Sequence, residues 1–144
     1  MLAAARARIA RLTPQQAWDA MANGALVLDL RDGDRRARTG VVPGSIHVPT
    51  LVLEWRVCIE SGFAHPLITG RDQALILLCN EGFGSSLAAA RLRDLGFSDV
   101  ADVIGGFSAW EEAGLPTQPP QPRAAGVLDG LADPEPRGPR RAAN

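Results

Sequence analysis

Two short apolar runs dominate the pattern of this chain, residues 25–30 and residues 74–79, with only Asp29 and the terminal Cys79 interrupting them. A run that is apolar at every position, rather than at alternate ones, predicts a strand buried on both faces of a parallel sheet. Residues 99–104 predict a third strand, and Ile46-His47-Val48 a short one that stops at Pro49. Between the strands the period lengthens to that of a helix. Thr13 suits an N-cap, Pro14 the first helical position and Gln16 the return half of a capping box, with Ala17, Trp18 and Met21 on one apolar face and Asn23-Gly24 as the stop. Leu51, Glu54, Trp55 and Cys58 lie at helical spacing and predict a helix over residues 51–59. Residues 85–95 predict a helix with Ala88, Leu92 and Leu95 inward and Gly96 after it. Gly105-Gly106 leads into a last short helix with Phe107 and Trp110 inward, ended by Gly114 and Pro116. Residues 31–38 read as a charged, exposed loop, residues 41–45 as a turn and residues 62–72 as a loop. Alternating strands and helices with short links predict an α/β domain with a largely parallel sheet.

Composition adds limits. With 144 residues and 46% hydrophobic side chains, the chain has material for one core. A formal net charge of -1 gives no field to draw nucleic acid or an anionic membrane, and no apolar run has the length of a membrane span. The first residues mix arginine and alanine without an apolar centre, so a cytoplasmic protein with free thiols is expected. Residues 1–11 read as an N-terminal extension and residues 12–117 as the domain. Residues 118–144 hold six of the eleven prolines and no aromatic residue, and read as a disordered tail. Within that tail, Val127, Leu128 and Leu131 are too few to predict a helix that packs back. The two histidines, His47 and His65, stand apart from each other and from any cysteine pair, so no metal site is expected.

The segment with chemistry is Cys79-Asn80-Glu81-Gly82-Phe83-Gly84-Ser85-Ser86. It joins the carboxyl end of a buried strand to the start of a helix, where open α/β sheets bind ligands. Gly82 and Gly84 permit the tight wrap. Loop amides turned inward, and the positive end of the following helix, favour a thiolate or a persulfide anion at Cys79. Ser85 and Ser86 are placed to cap the helix or to donate to the site. From spacing alone a buried, inert cysteine is as good a reading.

Four segments, in order, resemble those of the rhodanese-like domain family. The Cys79 loop, its alanine-rich helix and Leu95-Gly96-Phe97 are similar to the family's active-site loop and helix. Leu28-Asp29-Leu30-Arg31 resembles its Asp-x-Arg strand end. Gly40-Val41-Val42-Pro43-Gly44-Ser45-Ile46-His47-Val48-Pro49 resembles its Pro-Gly segment, and residues 103–110 with Gly114-Leu115-Pro116 resemble its closing Gly-Gly-x-x-x-Trp and Gly-x-Pro run.

The resemblance implies a three-layer domain, a mostly parallel central sheet flanked by helices. It also implies a sulfurtransferase that carries sulfane sulfur on Cys79, from thiosulfate or a persulfide to a thiol acceptor, with no metal and no organic cofactor. Residues 80–86 would then bind substrate, with Asp29 and Arg31 holding the scaffold. Relatives acting on phosphate or arsenate have a longer loop closed by arginine, in a Cys-x5-Arg pattern. Here that arginine would fall at Ser85, and the loop has none. Many sulfurtransferase loops carry a basic residue where this one has Gly84, and Glu81 adds negative charge instead. The resemblance therefore implies modest use of thiosulfate.

Phe83, at the loop apex, is expected to be exposed and to help dock a donor or acceptor. Trp18, Trp55 and Trp110 are expected as core anchors, Cys58 as core packing, and His47 in a core or turn role. Two other functions stay open: an idle interaction module, and a redox sensor in which Cys79 oxidises or pairs with Cys58.

Overall fold

The computed structural model describes residues 1–121. Five strands form one sheet: β1 (Ala10–Leu12), β2 (Leu26–Asp29), β3 (Ile46–His47), β4 (Leu75–Leu78) and β5 (Val100–Val103). Their spatial order is β1-β5-β4-β2-β3, and every pairing is parallel. The helices are α1 (Leu2–Arg6), α2 (Pro14–Ala22), α3 (Gly33–Thr39), α4 (Leu53–Val57), α5 (Gly84–Asp94) and α6 (Gly106–Glu112).

The period-two pleat divides the core into two layers. Leu26, Leu28, Leu75 and Leu77 point to one face, where they pack with Leu53 and Val57 of α4 and Ala88 and Leu92 of α5. Val27, Ile76 and Leu78 point to the other, against Ala17 of α2 and Phe107 and Trp110 of α6. That double demand is why β2 and β4 read as continuous apolar runs. Each fully buried leucine contributes roughly 1.5–3 kcal/mol. Trp110 is wholly buried, meets Trp18 edge-on at 5.8 Å and donates Nε1–H to the Pro116 carbonyl at 2.9 Å.

The start of α2 forms as its sequence predicts. The Thr13 hydroxyl accepts from the Gln16 amide at 3.2 Å, and the Gln16 side chain accepts from the Thr13 amide at 2.9 Å. Thr13→Ala breaks the first of these bonds and is expected to cost about 1 kcal/mol, read as a lower midpoint in urea denaturation.

Several expectations change. Residues 33–39 form α3 rather than a loop: Asp32 caps it, accepting from the Arg35 amide at 2.8 Å, and Arg31 and Arg36 are buried. Two of the charges that suggest exposure, Arg31 and Arg36, are consumed internally by Asp29, while Asp32, Asp34 and Arg38 face outward. The helix expected over 51–59 is α4 alone, with 3-10 turns at Thr50–Val52 and Ile59–Ser61 on either side. Trp55 is not a core anchor; it is 40% exposed and packs on Phe63 with centroids 4.5 Å apart. Residues 1–11 are not set apart: β1 pairs with β5, and α1 packs on α5. Gln118 exchanges two backbone hydrogen bonds with Val41, at 2.8 and 3.0 Å, so the first residue assigned to the tail is tied to the domain. The disorder expected further on, and the Val127, Leu128 and Leu131 segment, lie outside the described residues.

Candidate active site

A parallel sheet brings the carboxyl ends of all its strands to one rim, and Cys79 follows the middle strand, β4, at that rim. The chain must then turn back to start α5. Gly82 makes that turn with φ +86°; a Cβ there would stand 2.8 Å from the Gly105 nitrogen. The wrap aims two amides at the sulfur: the Gly82 N–H donates to Cys79 Sγ at 3.1 Å and the Ser85 N–H at 3.4 Å. Cys79 itself is partly exposed, so its sulfur faces an opening and not the apolar interior.

The loop serines behave differently from the expectation of helix capping. α5 begins one residue earlier, at Gly84, and its N-cap Phe83 makes no side-chain cap. Ser85 and Ser86 are fully buried and donate their hydroxyls to Asp102 Oδ2, at 2.8 and 2.7 Å. Ser85 Oγ also lies 3.3 Å from Cys79 Sγ. Asp102, in the middle of β5, was not singled out from the sequence. The available signal is a lone acid inside an apolar strand, which must find buried donors.

The loop is tied from behind by α6. The Phe107 amide donates to the Cys79 carbonyl at 2.9 Å and the Ser108 amide to the Asn80 carbonyl at 3.0 Å. One strand over, the fully buried Asp29 takes a two-pronged contact from Arg31, at 3.0 and 2.8 Å, and a third from Arg36 Nε at 3.0 Å. Arg31 continues to Thr39 Oγ1 and the Gly40 carbonyl, and its guanidinium lies 3.9 Å from the Phe107 ring centroid. Asp29 thus joins Arg31 and Arg36, and through Arg31 the end of α3, Thr39 and Gly40, at the rim of the sheet. His47 Nε2 meets the Arg31 carbonyl at 2.7 Å, a turn-bracing contact.

Cys79 opens into a cavity of about 550 Å³. Asn80, Glu81, Phe83 and Gly84 line one side. Leu30, Arg31, Asp32, Arg35, Pro49, Thr50 and Leu51 line the other. Its lining is mainly apolar, and two of its apolar residues are exposed: Leu51 at 94% and Phe83 at 56%. The Arg35 amide holds the Asp32 carboxyl below the usual carboxylate range. Arg31, by contrast, has its charge committed to Asp29.

Cys58, the other cysteine, closes α4. It packs against the core layer that holds Leu53, Val57 and Leu92. Both cysteines are free thiols.

Comparison with known proteins gives a consistent result. The model of the rhodanese-like domain matches residues 13–113. A protein named thiosulfate sulfurtransferase GlpE from Ectopseudomonas mendocina is 37% identical over 102 residues, 69% of this chain and 83% of that protein. One of the same name from Haemophilus influenzae is 32% identical over 105 residues, 73% of this chain and 90% of that protein. Among solved structures, a Rhodopseudomonas palustris protein described as of unknown function and a possible tyrosine phosphatase superposes with a TM-score of 0.75. It is 32% identical, and the match covers 81% of this chain and 90% of that one.

Proposed function

Because this chain belongs to the rhodanese-like domain family, we propose that its sulfurtransferase reaction runs through a persulfide carried on Cys79. The observation that carries the reading is the pair of amides, Gly82 and Ser85, converging on a partly exposed sulfur at the rim of the sheet. Cys79, as thiolate, attacks the sulfane sulfur of a donor. The donor S–S bond breaks, its electron pair leaves with the departing sulfite or thiolate, and Cys79–S–S⁻ forms. An acceptor thiolate then attacks the outer sulfur, and the Cys79 thiolate leaves with its own electron pair. The two half-reactions share one covalent intermediate and predict ping-pong kinetics. The amides offset the negative charge at each stage and, being fixed, need no reorganisation.

The cavity favours one class of donor. Its acids, Asp32 and Glu81, match its arginines in number, and one of those arginines is already paired with Asp29. A doubly charged anion gains little there. The apolar wall formed by Leu30, Pro49, Leu51 and Phe83 suits the body of an organic persulfide. A phosphoryl group would need a guanidinium fork in the loop, and residues 79–86 contain no arginine. Sulfur transfer through a free thiol fits a reducing, cytoplasmic setting.

Intact-mass measurement with peptide mapping tests the proposal. Incubation with glutathione persulfide or thiosulfate is expected to add one sulfur atom at Cys79, with glutathione persulfide giving the higher kcat/KM. No added sulfur at Cys79 with either donor rules out the carrier role. A clear preference for thiosulfate rules out the donor assignment alone.

A further inference from the structure

Directly beneath the sulfur cradle lies a buried negative charge. Asp102 is fully inaccessible, and a single hydroxyl, that of Ser85, separates its Oδ2 from Cys79 Sγ, with steps of 2.8 and 3.3 Å. A thiolate or persulfide at Cys79 is a second anion in the same space, and like charges at this range oppose one another. Asp102 also claims the Ser85 proton, so that hydroxyl is not free to donate to the sulfur.

The counter-charge comes from α1 and β1. Arg11 Nε donates to Asp102 Oδ1 at 2.9 Å and Nη2 to Oδ2 at 3.3 Å. The same Nη2 reaches the Gly82 carbonyl at 3.2 Å. Arg6 Nη2 donates to that carbonyl at 2.8 Å, and its Nε to Ser86 Oγ at 3.1 Å. Both arginines precede residue 13, where the match to the family model starts.

We propose that Arg11, backed by Arg6, is a positioning residue for the sulfur cradle: it neutralises Asp102 so that a second anion can form at Cys79, and it pins Gly82 so that the Gly82 amide stays aimed at Sγ. The proposal rests on Cys79 being the sulfur carrier. The other charged groups facing Cys79 are Glu81 in the loop and Arg31, Asp32 and Arg35 across the cavity, and all four stay constant in the test.

The test is the pH profile of iodoacetamide alkylation, followed at Cys79 by peptide mass, in the wild-type chain, Arg11→Gln, Asp102→Asn and the double variant. Arg11→Gln leaves Asp102 uncompensated; alkylation at pH 7 is expected to slow about tenfold and to recover at higher pH. The double variant removes both charges and is expected to return to within about twofold of wild type, a rescue that a purely structural defect would not show. An unchanged profile in Arg11→Gln, or a defect that persists in the double variant, overturns the proposal. Where Arg11→Gln fails to fold, Arg6→Gln at its half-buried site carries the comparison: a shift in the same direction supports the proposal and no shift overturns it. Because the readout is alkylation, it is independent of sulfur loading. A wild-type protein that takes up no sulfur removes the carrier reading and leaves the charge cycle to be judged by its own profile.

Discussion

Cys79→Ser is expected to lower sulfur transfer from either donor by at least ~10³-fold while leaving the fold intact. The hydroxyl is nearly the same size, so the amides of Gly82 and Ser85 keep an acceptor in place of Sγ. What disappears is the nucleophile: an alcohol does not ionise near neutral pH, and its oxygen forms no persulfide. Cys58 does not substitute, because it packs against the apolar core layer and not in the loop after β4. The measurement is steady-state cyanolysis alongside circular dichroism. Residual activity within tenfold of wild type, in a folded variant, would mean that sulfur passes through another group. The interaction-module alternative makes the opposite forecast, since an idle Cys79 predicts no turnover to lose.

Gly106→Ala is the second large effect. Gly106 has φ +63°, and a Cβ built on it would stand 2.5 Å from the Cys79 carbonyl oxygen and 2.6 Å from the Asn80 carbonyl carbon. All of these contacts are backbone, so no side chain can swing away. The substitution forces α6 off the loop, stretching the Phe107 and Ser108 amide bonds to the Cys79 and Asn80 carbonyls. Strain and overpacking together are expected to cost ~2–4 kcal/mol, with Tm falling by ~10 °C. Activity measured well below that Tm should also fall, since the Cys79 carbonyl is displaced with its sulfur. A variant of unchanged Tm and unchanged kcat would show that the Gly-Gly turn is not what seats the loop.

Much of this arrangement is legible in the chain because it is local. The continuous apolar runs of β2 and β4 predict double burial, and the Thr13-Pro14-x-Gln16 start of α2 is a self-contained hydrogen-bond pattern. The Cys79 loop is likewise announced by its neighbours. What escapes is decided at a distance. Arg36 looks solvent-bound until Asp29, already paired with Arg31, is seen to absorb it as well. Trp55 has the right spacing for an inward face, but α4 is a short helix and its exposed side finds Phe63. The clamp beneath the sulfur is the extreme case. Arg6 meets Ser86 across 80 positions and Arg11 meets Asp102 across 91, so no window of sequence contains both partners. Nor does an arginine in an apparently separate leader announce a buried carboxylate on the fifth strand.

The outer strands of the sheet are also its shortest, three residues in β1 and two in β3. A strand that brief offers a neighbouring molecule too few unpaired amides and carbonyls to prolong the ladder. The sheet is thereby blunted on both flanks against edge-to-edge growth. The protein should remain colloidally well behaved at concentrations where a longer bare edge would seed aggregates.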